Sequence, residues 1–200
     1  EGGMVTTNDE TIWRKMWAYK DHGKSYEAVY ERQHPDGYRW LHDSFGTNWR
    51  MTEMQAVIGR IQLKRMLNWH NKRLTNANQI WKAAGQCNGL FAPLVPNYIE
   101  HAAYKCYVFV QSNKLKSDWN RDKIIGEIKS LGVPCFSGSC SEVYLEKAFD
   151  SSNFRPKIRL PNAKELGETS LMFLVHPTLT KSEIQKTCNA ILSVMKLAAK

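Results

Sequence analysis

Gly46-Thr47-Asn48-Trp49-Arg50-Met51-Thr52-Glu53-Met54-Gln55-Ala56-Val57-Ile58-Gly59 carries a polar loop onto the start of a helix. Asn48 brings a neutral amide and Arg50 a fixed cation. Beside a helix N-terminus both groups suit a bound anion such as a phosphate. Spacing alone leaves a second reading open: an N-capped surface helix with an ordinary arginine, Arg50 pairing with Glu53 or Asp43.

Downstream, residues 52–84 read as one long helix. Leu63, Met66, His70, Leu74, Ala77 and Trp81 recur at steps of three and four along one face. The repeat is not a strict heptad, so a linker helix is expected rather than a coiled coil. Gly85, Gly89, Pro93 and Pro96 end it. The remainder alternates strand and helix signals. Tyr104, Cys106, Val108 and Val110 alternate with Tyr107 and Phe109, which predicts a strand buried on both faces over residues 103–111. A helix is expected over 121–131, a short strand over 133–136, a short helix over 141–149 and a strand over 171–175. A final amphipathic helix runs over 180–198, with Thr180 as N-cap and Glu183 completing a capping box. Together these make a small domain of two or three strands covered by helices.

Upstream, residues 3–7 read as a strand, and Asn8 or Asp9 caps a helix that reaches about Lys20. Ile12, Met16 and Tyr19 share one face; Trp13 and Trp17 form a neighbouring stripe suited to packing. Residues 23–46 are long and irregular, with Tyr26, Tyr30, Tyr38, Trp40 and Phe45. That content points to an ordered loop packed on something, a second subunit being one candidate and a mobile insertion the alternative.

Hydrophobic content of 42% beside 24% charged residues is that of a soluble globular protein. No stretch approaches about 18 uncharged apolar residues, so no membrane span is expected, and the first residues lack a signal-peptide pattern. The chain opens as if in mid-fold, so an upstream part is expected. The five cysteines, Cys87, Cys106, Cys135, Cys140 and Cys188, are odd in number and form no CxxC, as expected of reduced thiols in a cytoplasmic protein. The histidines show no metal spacing, and no metal is expected. Ser137-Gly138-Ser139 lies in no GxSxG, which argues against a serine hydrolase. A formal charge of +9 favours anionic ligands without choosing among them. Lys and Arg are scattered and no nucleic-acid-binding signature is present, so nucleic acid is not an expected partner.

The opening stretch resembles the segment Gly-(aromatic)-Asn-x-Arg-Met-x-(Asp/Glu)-x-Gln-Ala-x-(Ile/Leu)-Gly of the pyridoxal-phosphate-dependent sugar aminotransferases of the DegT/StrS family, with Thr47 departing from the aromatic. Glu1-Gly2-Gly3-Met4-Val5-Thr6-Thr7-Asn8-Asp9-Glu10 is similar to that family's Gly-Glu-Gly-Gly turn, strand and helix start. Asp21-His22-Gly23 is similar to the close of that helix. Ser170-Leu171-Met172-Phe173-Leu174-Val175-His176-Pro177-Thr178-Leu179-Thr180 is similar to its closing strand and helix start. A departure lies over residues 132–149, where many family members have His-Tyr-x-Pro and this chain has Pro134-Cys135-Phe136-Ser137-Gly138-Ser139-Cys140-Ser141-Glu142, in a loop that helps shape the substrate side.

The resemblance implies an α/β chain: the C-terminal part of a fold-type-I pyridoxal-phosphate-dependent transferase. Residues 1–50 would be the tail of the large cofactor domain, 51–85 a linker helix and 86–200 a small C-terminal domain. It implies transfer of an amino group from a donor, glutamate being expected, to a nucleotide-linked keto sugar in amino-sugar and polysaccharide biosynthesis. By resemblance Asn48 contacts the cofactor phosphate in the neighbouring subunit of a homodimer, and Arg50 a substrate carboxylate or phosphate. The Schiff-base lysine would lie a few residues upstream of Glu1. No catalytic residue is therefore expected within the chain, and the chain alone is expected not to transaminate. The rival readings are a non-catalytic basic module for phosphate or nucleic-acid ligands and a relic keeping only a dimerising surface.

Overall fold

A computed structural model describes residues 2–37 and 39–200. Glu1 of the Glu1-to-Glu10 motif and Tyr38 of the aromatic loop lie outside the described residues. The chain divides into two compact units, Glu1–Met66 and Leu67–Lys200.

The first unit is built on α1 (Glu10–Lys20). Asp9 caps it, its carboxylate accepting from the Ile12 N–H at 2.9 Å. The stretch before it is exposed and pairs with no strand among the described residues, contrary to the expectation for residues 3–7. Its Val-Thr-Thr has β-prone side chains but no neighbouring backbone to bond, and propensity alone does not make a strand. Trp13 and Trp17 find their partners in the irregular segment that follows. Tyr26 sits 5.1 Å from Trp13 and 5.4 Å from Trp17, ring centre to ring centre, and Tyr30 lies 5.9 Å from Trp17. Arg14 ties the same surfaces, bonding Glu10 and Glu31. The aromatic segment is thus ordered on its own chain through Tyr26 and Tyr30, with one π-helical turn at Glu27–Glu31; Trp40 and Phe45 stay exposed.

The division between units falls within α2 (Glu53–Gly85), whose 33 residues span about 50 Å. Its first half carries Met54, Val57, Ile58 and Leu63 exposed, whereas Ala77, Ile80, Trp81 and Ala84 are buried in the second unit. The apolar stripe read from the sequence is therefore covered only toward its C-terminal end.

The second unit holds four strands: β1 (Leu90–Phe91), β2 (Cys106–Val110), β3 (Cys135–Phe136) and β4 (Ser170–Phe173). All pairs are antiparallel in the order β1-β2-β4-β3. Cys106 stands opposite Phe173 and Val108 opposite Leu171. β2 buries Cys106, Val108 and Val110 but leaves Tyr107 and Phe109 half-buried, so it is one-sided rather than buried on both faces. Tyr104 precedes the strand and is exposed. Three helices complete the unit: α3 (Arg121–Ser130), α4 (Pro161–Thr169) and α5 (Lys181–Ala198). Ile124 and Ile128 of α3 share one core with Ile184, Ile191, Val194 and Met195 of α5 and with Phe173. The capping box is present: Glu183 accepts from the Thr180 N–H at 2.8 Å, and Thr180 Oγ1 from the Glu183 N–H at 3.2 Å.

Two local expectations change. The helix expected over 141–149 is two short 3-10 turns, Val143–Leu145 and Lys147–Phe149, separated by Glu146 in an extended conformation. Helix α4 is an addition to the elements read from the sequence; Pro161 opens it at the first position, where a missing N–H costs nothing.

Candidate functional site

Helix α1 ends in a left-handed step. His22 and Gly23 have φ of 62° and 84°, and the Gly23 N–H returns to the Ala18 carbonyl at 2.8 Å. The loop of the opening motif lies along this turn. Thr47 donates its N–H to Tyr19 O at 2.7 Å, His22 to Thr47 O at 3.0 Å and Trp49 to Lys20 O at 3.0 Å, so that Asp21 and Asn48 face each other as an antiparallel pair. The approach leaves no room for a side chain. A Cβ at Gly46 would meet the Gly23 backbone and stand 2.7 Å from Tyr19 O, and one at Gly23 would run into Ser44 O. The two quoted motifs, Asp21-His22-Gly23 and Gly46-to-Gly59, are therefore fitted to one another.

This pairing assembles four side chains. Asn48 Oδ1 accepts from the Arg50 N–H and from Arg50 Nε, both at 3.4 Å. Arg50 Nε stands 3.5 Å from Asp21 Oδ1, and Arg50 Nη2 lies 3.5 Å from His22 Nε2. For Arg50 to donate there, Nε2 must be the unprotonated ring nitrogen. Asp21 is buried and, among the described residues, its Oδ1 accepts no hydrogen bond; Arg50 reaches it at ion-pair distance without hydrogen-bond alignment. Lys20 Nζ lies 3.8 Å from the other oxygen. Neither carboxylate that the sequence suggests for Arg50, Glu53 or Asp43, is the one beside it. Asp43 is bonded to Ser25 and Arg32, which lower its pKa, and the carboxylate next to Arg50 is Asp21.

With Oδ1 engaged, Asn48 has its amide N–H groups left to donate, and donors are what an anion requires. Arg50 keeps a side chain 52% exposed, so its outer edge is open to a ligand. The start of α2, by contrast, is closed on itself: Gln55 Oε1 accepts from the N–H and hydroxyl of Thr52, both at 3.0 Å. Sequence reasoning missed Asp21 and His22 as members of the cluster. The available signal was an acidic residue at a helix C-terminus, where the helix dipole disfavours it.

In the second unit, the segment that departs from the His-Tyr-x-Pro pattern is tied through Glu142 and Tyr144 to residues 155–160. Glu142 accepts from Tyr144 Oη at 2.7 Å and from Arg159 Nε at 2.8 Å. Tyr144 Oη accepts in turn from the Leu160 N–H at 3.0 Å, and Arg155 Nε donates to Tyr144 O at 2.8 Å. Arg159, then Tyr144, hold the Glu142 carboxyl down to about 2. All five thiols are free. Burial raises the pKa of Cys87, Cys106 and Cys188 and pushes Cys135 up to about 12, so none of these four is an activated nucleophile.

Residues 1–192 match the family model described as the DegT/DnrJ/EryC1/StrS aminotransferase family. The spore coat polysaccharide biosynthesis protein SpsC of Bacillus subtilis is 26% identical, over 98% of this chain and 50% of its own length. An aminotransferase structure from Psychrobacter cryohalolentis is 62% identical with a TM-score of 0.87, covering 96% of this chain and 51% of that one. DesV of Streptomyces venezuelae, 20% identical, has the same fold with a TM-score of 0.77 over 96% of this chain and 46% of its own. The chain spans about half the length of the curated relatives it matches.

Proposed function

Because this chain belongs to the DegT/DnrJ/EryC1/StrS aminotransferase family, we propose that it serves a pyridoxal-phosphate-dependent transfer of an amino group, from glutamate as donor, to a nucleotide-linked keto sugar. Its fold is that of the C-terminal part of such enzymes. Residues 1–50 would complete the large domain, 51–85 link the domains and 86–200 form the small one. The product would be an amino sugar for surface polysaccharide, made in the cytoplasm. The charge of +9 suits a substrate bearing a pyrophosphate.

Pyridoxal phosphate, when bound, supplies the electron sink that lets the amino group move. This chain's contribution is to hold ligands. Asn48 donates its amide hydrogens to the cofactor phosphate, in the site of the neighbouring subunit of a homodimer. Arg50, anchored on its inner edge, presents its outer N–H groups to a substrate carboxylate or phosphate. By the family resemblance no lysine of the chain stands at the Schiff-base position, so the 200-residue chain by itself is expected to gain no cofactor absorbance band and to turn over no amino donor. The observation that carries the reading is the orientation of Asn48, whose oxygen is turned to Arg50 and whose donors are left for an anion.

Asn48→Ala in the full-length enzyme tests it. Loss of one hydrogen bond to a charged group costs about 1.5–3 kcal/mol, a weakening of cofactor binding of roughly 10- to 100-fold. Cofactor retention equal to wild type would remove Asn48 from the site.

A further inference from the structure

We propose that Asp21 is a positioning residue, which fixes the guanidinium of Arg50 and through it the amide of Asn48. The inference rests on the ligand roles given above to those two residues. Asp21 is the C-cap of α1, where the negative end of the helix dipole opposes a carboxylate. It is also buried, at 8% exposure, and burial opposes an anion again. Among the described residues its side chain caps nothing, and Oδ1 accepts no hydrogen bond. A carboxylate in a place unfavourable on both counts calls for opposing charge: Lys20 Nζ stands 3.8 Å from Oδ2, and the cation on the Oδ1 side is Arg50 at 3.5 Å.

The division of labour follows from the distances. Asn48 takes the Nε hydrogen, Asp21 supplies the opposing charge, and His22 Nε2 accepts at the Nη2 corner. Two contacts at Nε and one at Nη2 fix the plane of a guanidinium. Without the Asp21 charge, a side chain already half exposed is drawn to solvent. Asn48 Oδ1 then loses its donor, and the amide is free to turn its oxygen toward an incoming phosphate. A single remote carboxylate thereby governs the polarity of the group that meets the ligand.

The test uses the full-length enzyme stripped of cofactor and titrated with pyridoxal 5'-phosphate, binding being read from absorbance and tryptophan fluorescence. The variants are Asp21→Asn, Arg50→Ala, their double mutant, and Asn48→Ala. Asp21→Asn is expected to weaken binding three- to tenfold while leaving the melting temperature near wild type. In the Arg50→Ala background it is expected to add less than twofold, because its effect runs through Arg50. Should Asp21→Asn not fold, Arg50→Lys keeps the charge but lacks the planar fork that reaches Asp21, Asn48 and His22 together, and is expected to weaken binding by a similar factor. An unchanged constant in Asp21→Asn, or an equal loss with and without Arg50, overturns the positioning role. If Asn48→Ala also binds as wild type, the functional reading itself fails; if Asn48→Ala is impaired as expected, only the assignment of Asp21 falls.

Discussion

In Gly46→Ala the new Cβ would stand 2.7 Å from the Tyr19 carbonyl oxygen and 2.9 Å from the His22 carbonyl carbon, with the Gly23 amide nitrogen closer still. Ordinary contact with Tyr19 O requires the loop to withdraw by about 0.7 Å. The obstacles are all backbone, so no side chain can swing aside. Gly46 is not in a left-handed conformation, so the penalty is steric rather than torsional. Overpacking of this kind costs about 1–3 kcal/mol. The strain falls on the bonds Thr47 N–H to Tyr19 O and His22 N–H to Thr47 O, which hold Asn48 in place. A displacement of about 1 Å in a positioned group can cost on the order of 100-fold in function. Cofactor titration of the full-length apoenzyme should therefore show at least a tenfold loss, with a modest fall in melting temperature. Gly59→Ala is the control. A Cβ there meets nothing within 4 Å inside α2, and the change should be neutral or stabilising by about 0.5–1 kcal/mol. Wild-type affinity in Gly46→Ala, or equal damage in Gly59→Ala, would refute the fit between the two glycine-bearing segments.

The remaining predictions concern the second unit. Glu142 has a folded pKa of about 2, below its ordinary 4.5, so its contribution to stability is complete above pH 4.5 and is lost as the pH falls toward 2. Near-ultraviolet circular dichroism should lose amplitude across that window, and Glu142→Gln should flatten the change; an identical profile in the variant would show that another group is responsible. A thiol reagent at neutral pH should modify Cys140, which is exposed, in a fast phase, with Cys106 and Cys135 reacting only on unfolding; a fast phase that survives Cys140→Ser counts against this. Thr180→Ala removes the cap of α5 and should cost about 1 kcal/mol of stability in denaturant unfolding, whereas a loss below the error of the measurement would mean the box is redundant.

Periodic and capped segments are legible from residues alone. α2, α3 and α5 follow from spacing and from Thr180 with Glu183, and β2 and β4 from their apolar runs. What escapes depends on partners that a local pattern does not carry. Residues 3–7 have strand composition but no strand to join among the described residues. β1, two residues long, exists because Leu90 meets Val110 across the sheet. Residues 141–149 exchange a helix for side-chain bonds among Glu142, Tyr144 and Arg159. At the candidate site, Asn48 and Arg50 stand out by residue type, yet their common partner Asp21 lies 27 positions from Asn48 in sequence and faces it only through backbone pairing.

Helix α5 supplies Ile184, Cys188, Ala190, Ile191, Val194, Met195 and Ala198 to the core that also holds β2. Synthesis delivers β2 some seventy residues before that helix. A nascent second unit therefore carries Cys106, Val108 and Val110 with one wall of their enclosure still unmade, whereas α1 and the tyrosines that cover its tryptophans arrive within a few dozen residues of each other. At about 5–20 residues per second, the first unit can settle as it is translated while the second waits several seconds with open apolar surface. The order of the chain thus sets a schedule: premature termination within α5 would strand a folded Asn48–Arg50 loop on an unfolded, aggregation-prone remainder.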